Sequence, residues 1–387
     1  MTRNFRLERS HAQIVSKATM FKVLRHLDRG RLETPVLLID SDKVREKASM
    51  VGANIRNSRV FYAMKANPDR GILRLMDSLG LGFEVASEGE LRMLKALKVA
   101  PERIITSNPV KSAKFLREAA KYGLRYFAYD SSDEVEKLAR YVPGAKVYVR
   151  IAVANEGSEW PLSRKFGVEL DMAITLIKKA RDMGLNPSGI TFHVGSQCLN
   201  MYNWDTALYK ARALWEMAGR EGIEMEFLNI GGGYPINYTK GVVGLETIEK
   251  NIDRILRDNF PPDIQVLIEP GRSLVGDAGV FVSSVIGKAT RGHEDWVQID
   301  VGVFNGLIES IGGINYTYLV EERPEGGRKK EYTVAGPSCD GLDVMGTEVR
   351  IQEPELGSLM LILSAGAYTT CYASEFNGFP IPKVKIL

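Results

Sequence analysis

Lys65 is the first residue of this chain whose setting suggests chemistry. It closes the apolar run Val60-Phe61-Tyr62-Ala63-Met64 and is followed at once by Ala66-Asn67-Pro68, which stops a strand. An amine placed there points out of a strand end. Further along come Glu84 and Ser87, Asn108, Asp130, Arg150, His193 with Ser196, Gly231-Gly232-Gly233, and Glu269 followed by Arg272. Each of these ends an apolar stretch. An amine, an imidazole, two guanidiniums, several acids and a triple glycine are the parts needed for covalent amine chemistry around an anionic group.

The elements that position these residues can be read from periodicity. Apolar, β-branched runs cover 59–65, 82–87, 103–108, 126–130, 146–153, 189–196, 227–233 and 264–271. Segments such as Ile72-Leu75-Met76-Leu79, Leu91-Leu94-Leu97 and Ile174-Ile177-Ala180 lie between them, with apolar residues at helical spacing and charged opposite faces. Strands alternating with helices in this way match an α/β fold of the (β/α)₈ barrel type, whose active site is built at the C-terminal strand ends. Residues 276–387 change to short strands broken by Gly and Pro, at 280–286, 296–301, 332–334 and 359–363, a second and mostly β domain. The expected division is a barrel at 36–275, with 1–35 and 276–387 forming the β domain. The first thirty residues are basic and place Ile14, Ala18, Phe21, Val23, Leu24 and Leu27 near helical spacing. A plain N-terminal helix is preferred to a transit peptide.

Composition narrows the class. The chain has 387 residues, a formal charge of +3 and 44% hydrophobic residues, enough for two domains with a substantial core. So mild a charge gives no reason to expect nucleic acid as a partner. Cys198, Cys339 and Cys371 are too few and odd in number for a disulfide framework, so a reducing, cytoplasmic location is expected. No apolar run approaches a membrane span, and the N-terminus lacks the core of a secretory signal. No metal is expected.

The loops after the last two strands of such barrels often hold a phosphate, and here they carry Gly231-Gly232-Gly233-Tyr234-Pro235 and Glu269-Pro270-Gly271-Arg272. Glycines let backbone approach an anion, and Arg272 adds a charged fork. A triple glycine alone also serves tight turns. With a lysine and an acid at the same mouth, the set suggests pyridoxal phosphate (PLP) held as a Schiff base on Lys65, with Glu269 facing the pyridine nitrogen. His193, in Thr191-Phe192-His193-Val194-Gly195-Ser196, can stack on that ring or be a core histidine with a satisfied hydrogen bond. Ser196 is placed to give a hydroxyl to phosphate, and Arg150 is a further cation at the mouth.

These residues resemble the fold-type III PLP decarboxylases, specifically the ornithine/lysine decarboxylase group. The resemblance is carried by Tyr62-Ala63-Met64-Lys65-Ala66-Asn67, Phe192-His193-Val194-Gly195-Ser196, Asn229-Ile230-Gly231-Gly232-Gly233 and Glu269-Pro270-Gly271-Arg272. Two further segments are more specific: Gly336-Pro337-Ser338-Cys339-Asp340-Gly341-Leu342-Asp343, and Gly366-Ala367-Tyr368 through Ala373-Ser374-Glu375-Phe376-Asn377-Gly378-Phe379. The resemblance implies that Lys65 carries PLP, His193 stacks on it and Glu269 pairs with its ring nitrogen. It also implies that Ser196, the three glycines, Arg272 and Tyr368 hold the phosphate. It implies a head-to-tail homodimer in which Cys339 and Asp340 enter the partner's site, Cys339 returning a proton to Cα.

An acid at Asp340 suits the distal ammonium of ornithine or lysine. The diaminopimelate enzymes of this fold usually show Cys-Glu-Ser at this point, and the chain has Cys339-Asp340-Gly341. The second substrate aspartate of the eukaryotic ornithine enzymes is replaced by the segment Gly302-Val303-Phe304-Asn305-Gly306-Leu307-Ile308-Glu309, in which Glu309 is the nearest acid. Glu309 and Phe376 are therefore expected near the substrate with Asp340. Since one methylene is worth only about 1 to 3 kcal/mol in a pocket, both ornithine and lysine are expected to react, giving putrescine and cadaverine. The polar segment 154–163, with Trp160, reads as a lid or as an ordinary surface loop. Alanine racemases share the barrel but place an arginine at the pyridine nitrogen, which Glu269 argues against. Arginine or diaminopimelate decarboxylation is the enzymatic alternative. A non-catalytic regulatory homologue would be expected to lack the lysine or the cysteine.

Overall fold

The computed structural model describes residues 4–28, 30, 32–160, 165–322 and 328–387. The chain divides into two compact units, Ala48–Pro235 with Val243–Gly271, and Met1–Lys47 with Ile236–Val242 and Arg272–Leu387.

The first unit is a parallel barrel. Its strands are β1 (Ser58–Ala63), β2 (Gly82–Glu84), β3 (Ile104–Ile105), β4 (Tyr126–Tyr129), β5 (Lys146–Arg150), β6 (Asn186–Thr191), β7 (Phe227–Asn229) and β8 (Gln265–Ile268). They hydrogen-bond in chain order, with β8 returning to β1, and a parallel bridge between Thr106 and Phe127 joins β3 to β4. All eight lie within the expected runs or overlap them, and every one is shorter. The difference is mainly at the C-terminal ends, where the chain leaves the ladder before Lys65, His193, the glycines and Glu269, while Glu84 and Arg150 are the last residues of their strands.

Three of the helices between strands begin on serines whose hydroxyls accept an orphan backbone N–H: Ser87 from Glu90, Ser112 from Phe115 and Ser131 from Glu134. Each such cap is worth about 1 kcal/mol. Ser87 is thus a helix cap. Helix Arg70–Ser78 buries Ile72, Leu75 and Met76 of the expected stripe, with Leu73 beside them, and ends before Leu79. Inside the barrel Phe61, Ile105, Ala128, Tyr148, Phe227 and Leu267 form one cluster. Phe227 meets Tyr126 and Tyr148 edge-on at 5.6 and 5.4 Å. Gly189 on β6 makes room for it, since a Cβ there would lie 2.5 Å from the Phe227 ring. The interior is therefore a packed plug, and chemistry is confined to the rim.

The second unit is mostly β. The long strand Gly279–Arg291 pairs antiparallel with Val36–Ile39, Glu294–Ile299 and Leu359–Leu363. Lys329–Ala335 joins Glu294–Ile299 to Val344–Gln352, and Tyr318–Val320 and Lys383–Ile386 pair at the flanks. Helix Lys17–Leu27 lays Met20, Val23 and Leu27 onto Val36, Leu38, Val280, Val282, Leu361 and Leu363. The N-terminal segment is thus a core helix of this unit. The expected seam before residue 36 moves to residue 47, because Val36–Ile39 is a strand of this sheet and not the lead into the barrel. Residues 236–242 and 272–275 also belong here.

Candidate active site

β1 ends at Ala63, which pairs with Glu84 at the end of β2, and Lys65 sits in the 3₁₀ turn Met64–Ala66 beyond the strand. The turn lifts the amine clear of the ladder. Lys65 is exposed, with 45% of its side chain accessible, while its partner Glu84 is 2% accessible and holds Nζ at 2.5 Å through Oε2. A buried carboxylate thus fixes the direction of an amine that reagents can reach.

Glu269, one residue past β8, is buried. Its Oε1 accepts from the Ser107 hydroxyl and from Asn229 Nδ2. Ser107 Oγ lies 2.8 Å from the Tyr148 hydroxyl, which donates to the Thr106 carbonyl at 2.9 Å. Burial pushes the Glu269 carboxyl up, and the charge of Glu84 adds to this, while Lys65, Ser107 and Asn229 pull it down. The acid is therefore proton-hungry yet still braced by donors, the setting in which a carboxylate shares a proton with a basic ring nitrogen.

Asn229 also closes the glycine turn, because its Oδ1 accepts from Gly231 N at 3.0 Å. Gly231 and Gly233 have φ of +65° and +99°. A Cβ on Gly231 would lie 2.5 Å from the Phe192 carbonyl oxygen, and one on Gly233 would lie 2.5 Å from that of Gly195. A Cβ on Gly232 would collide with the Glu269 carbonyl and lie 3.6 Å from His193 Nε2. Only backbone can line this turn, as an anion cradle requires.

His193 Nδ1 accepts from Gly195 N at 3.0 Å, leaving Nε2 as the protonated nitrogen of a neutral ring. Burial, with the charges of Arg150 and Lys65, lowers its pKa to about 3. The ring has the satisfied hydrogen bond of a core histidine and stands beside the glycine turn. Arg150 closes β5 and stacks on Phe166 at 5.3 Å, and burial lowers its pKa while Glu269, Asp130 and Glu84 support the charge. Ser196 opens the short strand Ser196–Cys198, which pairs antiparallel with Ser158–Trp160. Asp130 accepts Gly167 N at 2.8 Å and so braces a loop.

That pairing bears on residues 154–163. Ser158 Oγ donates to the Val194 carbonyl at 2.7 Å and Asn155 Nδ2 to that of His193 at 3.3 Å, so the first half of this segment is stitched to the His193 loop. Pro161, Leu162 and Ser163 lie outside the described residues.

The β unit carries a second constellation. Arg272 and Glu309 form a bidentate pair, Nη1 to Oε2 and Nη2 to Oε1 both at 2.7 Å, with side chains 3% and 4% accessible. Arg272 also donates to the Tyr238 hydroxyl and stacks on Tyr368 at 4.7 Å. Glu309, expected near the substrate, thus has both carboxylate oxygens turned to a guanidinium. Cys339 and Asp340 are exposed on the turn after Lys329–Ala335. Cys339 donates through N–H and Sγ to Asn377 Oδ1, both at 3.3 Å, and Asp340 Oδ1 caps Leu342 N at 2.8 Å. The buried Asp343 ties the turn down by accepting from Val303 N and Ser338 N. Phe376 packs on Phe304 with ring centroids 4.7 Å apart.

Ser107, Tyr148, Asn229 and Tyr238 were not singled out as site residues from the sequence. Asn229 alone had a usable signal, a polar residue two places before a triple glycine at a strand end.

The barrel residues fit PLP in kind: a reachable amine, a buried acid with a raised pKa, a neutral flat ring and a backbone-only turn. Comparison with known proteins agrees. Residues 41–276 match the family model described as pyridoxal-dependent decarboxylase, pyridoxal binding domain. A lysine/ornithine decarboxylase of Selenomonas ruminantium is 40% identical over 382 residues, 97% of this chain and 92% of that protein. The solved structure of SrLDC in complex with PLP and cadaverine aligns with a TM-score of 0.85 at 39% identity, over 99% of this chain and 95% of the other. The lysine/ornithine decarboxylase of Vibrio vulnificus complexed with cadaverine gives 0.88 at 27% identity, over 97% and 100%. With an amine, an acid and a glycine cradle arranged on such a barrel, and likeness along nearly its whole length, this chain belongs to the fold-type III pyridoxal-dependent decarboxylases.

Proposed function

We propose that the chain removes the α-carboxylate of L-lysine and L-ornithine as carbon dioxide, yielding cadaverine and putrescine. The observation that carries this reading is the pairing at one barrel rim of the reachable Lys65 with the buried, donor-braced Glu269. The named activity of the Selenomonas relative supports the choice of substrates.

In this reading Lys65 anchors the cofactor through its amine, Glu269 faces its ring nitrogen and His193 its ring face. Gly231, Gly232, Gly233, Ser196, Arg272 and Tyr368 hold its phosphate, and Arg150 contributes a cation close to Glu269. Bound there, PLP supplies an electron sink for the pair released when the carboxylate leaves. The chain's own residues do the rest. Glu84 holds the Lys65 amine on station, and Ser107 with Asn229 fixes the Glu269 oxygen so that its other face can share a proton with a ring nitrogen. The neutral His193 adds a flat surface without adding charge. Cys339 delivers a proton to Cα, and Asp340 receives the distal ammonium of the substrate.

Cys339 and Asp340 lie on an exposed turn, and beside them Leu342 and Phe376 are 63% and 41% accessible. A homodimer in which this turn enters the partner's site accounts for catalytic residues held at a surface with apolar neighbours. A cytoplasmic location follows from three free cysteines, one of them proposed to work as a thiol.

The test is release of carbon dioxide by purified protein with PLP from L-lysine, L-ornithine, L-arginine and diaminopimelate. Turnover of the first two is expected, and preference for diaminopimelate would overturn the reading of Asp340. For the dimer, inactive Lys65→Ala and Cys339→Ala chains should regain activity on mixing; a mixture as dead as its parents would exclude shared sites.

A further inference from the structure

Glu309 is the acid nearest in sequence to where a substrate aspartate would be sought, yet its carboxylate is turned away from such a role. Both oxygens are engaged by Arg272 in a planar fork, and the side chain is 4% accessible. The fork is enclosed: Tyr238 accepts from Arg272 Nη1, Tyr368 lies under the guanidinium, and Tyr316 meets the Tyr238 ring edge-on at 5.4 Å. Burial opposes the Arg272 charge, but Tyr238 and Glu309 more than offset it and hold its pKa well above the usual value. Cys371 beside them brings no competing charge, since burial and the Glu309 carboxylate push its thiol up to about 12.

We infer that Glu309 is a positioning residue, which fixes the plane of the Arg272 guanidinium for the cofactor phosphate and does not read the distal ammonium of the substrate. This rests on the proposed cofactor role of Arg272. To meet an ammonium, Glu309 would have to leave a buried arginine without its counter-ion, which is the costly way to break such a pair. Phosphate recognition by arginine is directional, and holding the Nη1–Nη2 edge on Glu309 also sets the plane in which the Nε–Nη2 edge of the guanidinium points. The consequence for substrate choice is direct. With Glu309 spent on Arg272, Asp340 is left as the acid for the distal ammonium, and a single acid on an exposed turn discriminates weakly between chains one methylene apart.

The test uses Glu309→Asp, which keeps the charge and withdraws the carboxylate by one methylene. Cofactor-free protein is titrated with PLP and with pyridoxal, which lacks the phosphate, and KM for lysine and ornithine is measured at saturating PLP. The expected result is PLP binding weaker by roughly tenfold, the loss of one charge-assisted hydrogen bond, with pyridoxal binding unchanged and both KM values within about twofold. Equal weakening of PLP and pyridoxal would reduce Glu309 to a structural residue. An unchanged PLP affinity with KM raised, more for the shorter ornithine than for lysine, would make it a substrate acid after all. Should the aspartate variant not fold, the isosteric Glu309→Gln carries the same reading: the PLP-to-pyridoxal affinity ratio departs from wild type while KM does not, and a raised KM overturns the inference. The titrations need no turnover, so failure of the decarboxylation reading would appear in the carbon dioxide assay and not here.

Discussion

Lys65 and Glu84 form an asymmetric ion pair, an amine that is 45% accessible held at 2.5 Å by a carboxylate that is 2% accessible. Removing the amine leaves the acid buried and unpaired. Lys65→Ala is therefore expected to abolish turnover and also to destabilise the cofactor-free protein. Breaking a fully buried pair costs about 3–5 kcal/mol, but solvent screens Lys65, so about 1 kcal/mol is the appropriate expectation. Adding Glu84→Gln to Lys65→Ala should restore most of that loss without restoring activity. Urea unfolding of the single and double variants decides the matter, and a double variant less stable than Lys65→Ala would refute the pairing argument.

Asn229 touches both halves of the proposed cofactor site, donating to Glu269 through Nδ2 and accepting Gly231 N through Oδ1. Its donation lowers the Glu269 pKa against the upward push of burial and of Glu84. In Asn229→Ala that support is gone and the Glu269 pKa rises further. The ionised form that a protonated ring nitrogen needs then becomes scarcer on the acid side. The acid limb of kcat/KM against pH should move to higher pH, with activity lower by about tenfold or more, as expected when a buried acceptor loses a donor. A profile that keeps its acid limb in place would show that Asn229 does not act through Glu269.

Gly233→Ala should be far worse than an ordinary glycine substitution. Its φ is +99°, and the new Cβ would stand 2.5 Å from the Gly195 carbonyl oxygen and 2.9 Å from Val194. Backbone strain of this kind costs roughly 1–3 kcal/mol before any clash is counted. The turn must shift, so PLP affinity should fall together with the melting temperature. Gly241, around which a Cβ would meet nothing within 4 Å, is the control for the same change. Equal effects at the two positions would refute the cradle argument.

Much of this site was legible because a barrel puts chemistry at the ends of apolar runs, and such runs can be read locally. Lys65, His193, the glycines and Glu269 all follow strands in that way. The partner of Glu309 was not legible, for the complementary reason. The pairing with Arg272 joins residues 37 positions apart within the β unit, and no local pattern records a partner. Val36–Ile39 was not legible for a similar reason: only its pairing with Gly279–Val282 assigns these four apolar residues to the β sheet. Lys111 and Glu134 make the same point inside the barrel unit, a fully buried pair at 3.0 Å that surface-like residue types gave no reason to expect.

Glu90 supplies a prediction about pH. It accepts the Ala86 N–H at 2.6 Å at the start of helix Glu88–Ala96, and burial, with the charge of Glu84, raises its pKa to about 7 from 4.5. A carboxyl whose folded pKa exceeds its unfolded one binds more protons when folded, so its stabilisation is complete below the unfolded value. That contribution is lost as pH climbs from about 4.5 through about 7. A displacement of this size corresponds to on the order of 3 kcal/mol across the window. Glu90→Gln stays neutral throughout and can still accept the Ala86 N–H. The drop in melting temperature of the cofactor-free protein between pH 5 and pH 8 should therefore be smaller in Glu90→Gln than in wild type, with the variant relatively stabilised at pH 8. The same drop in both proteins would mean that Glu90 titrates as an ordinary surface acid.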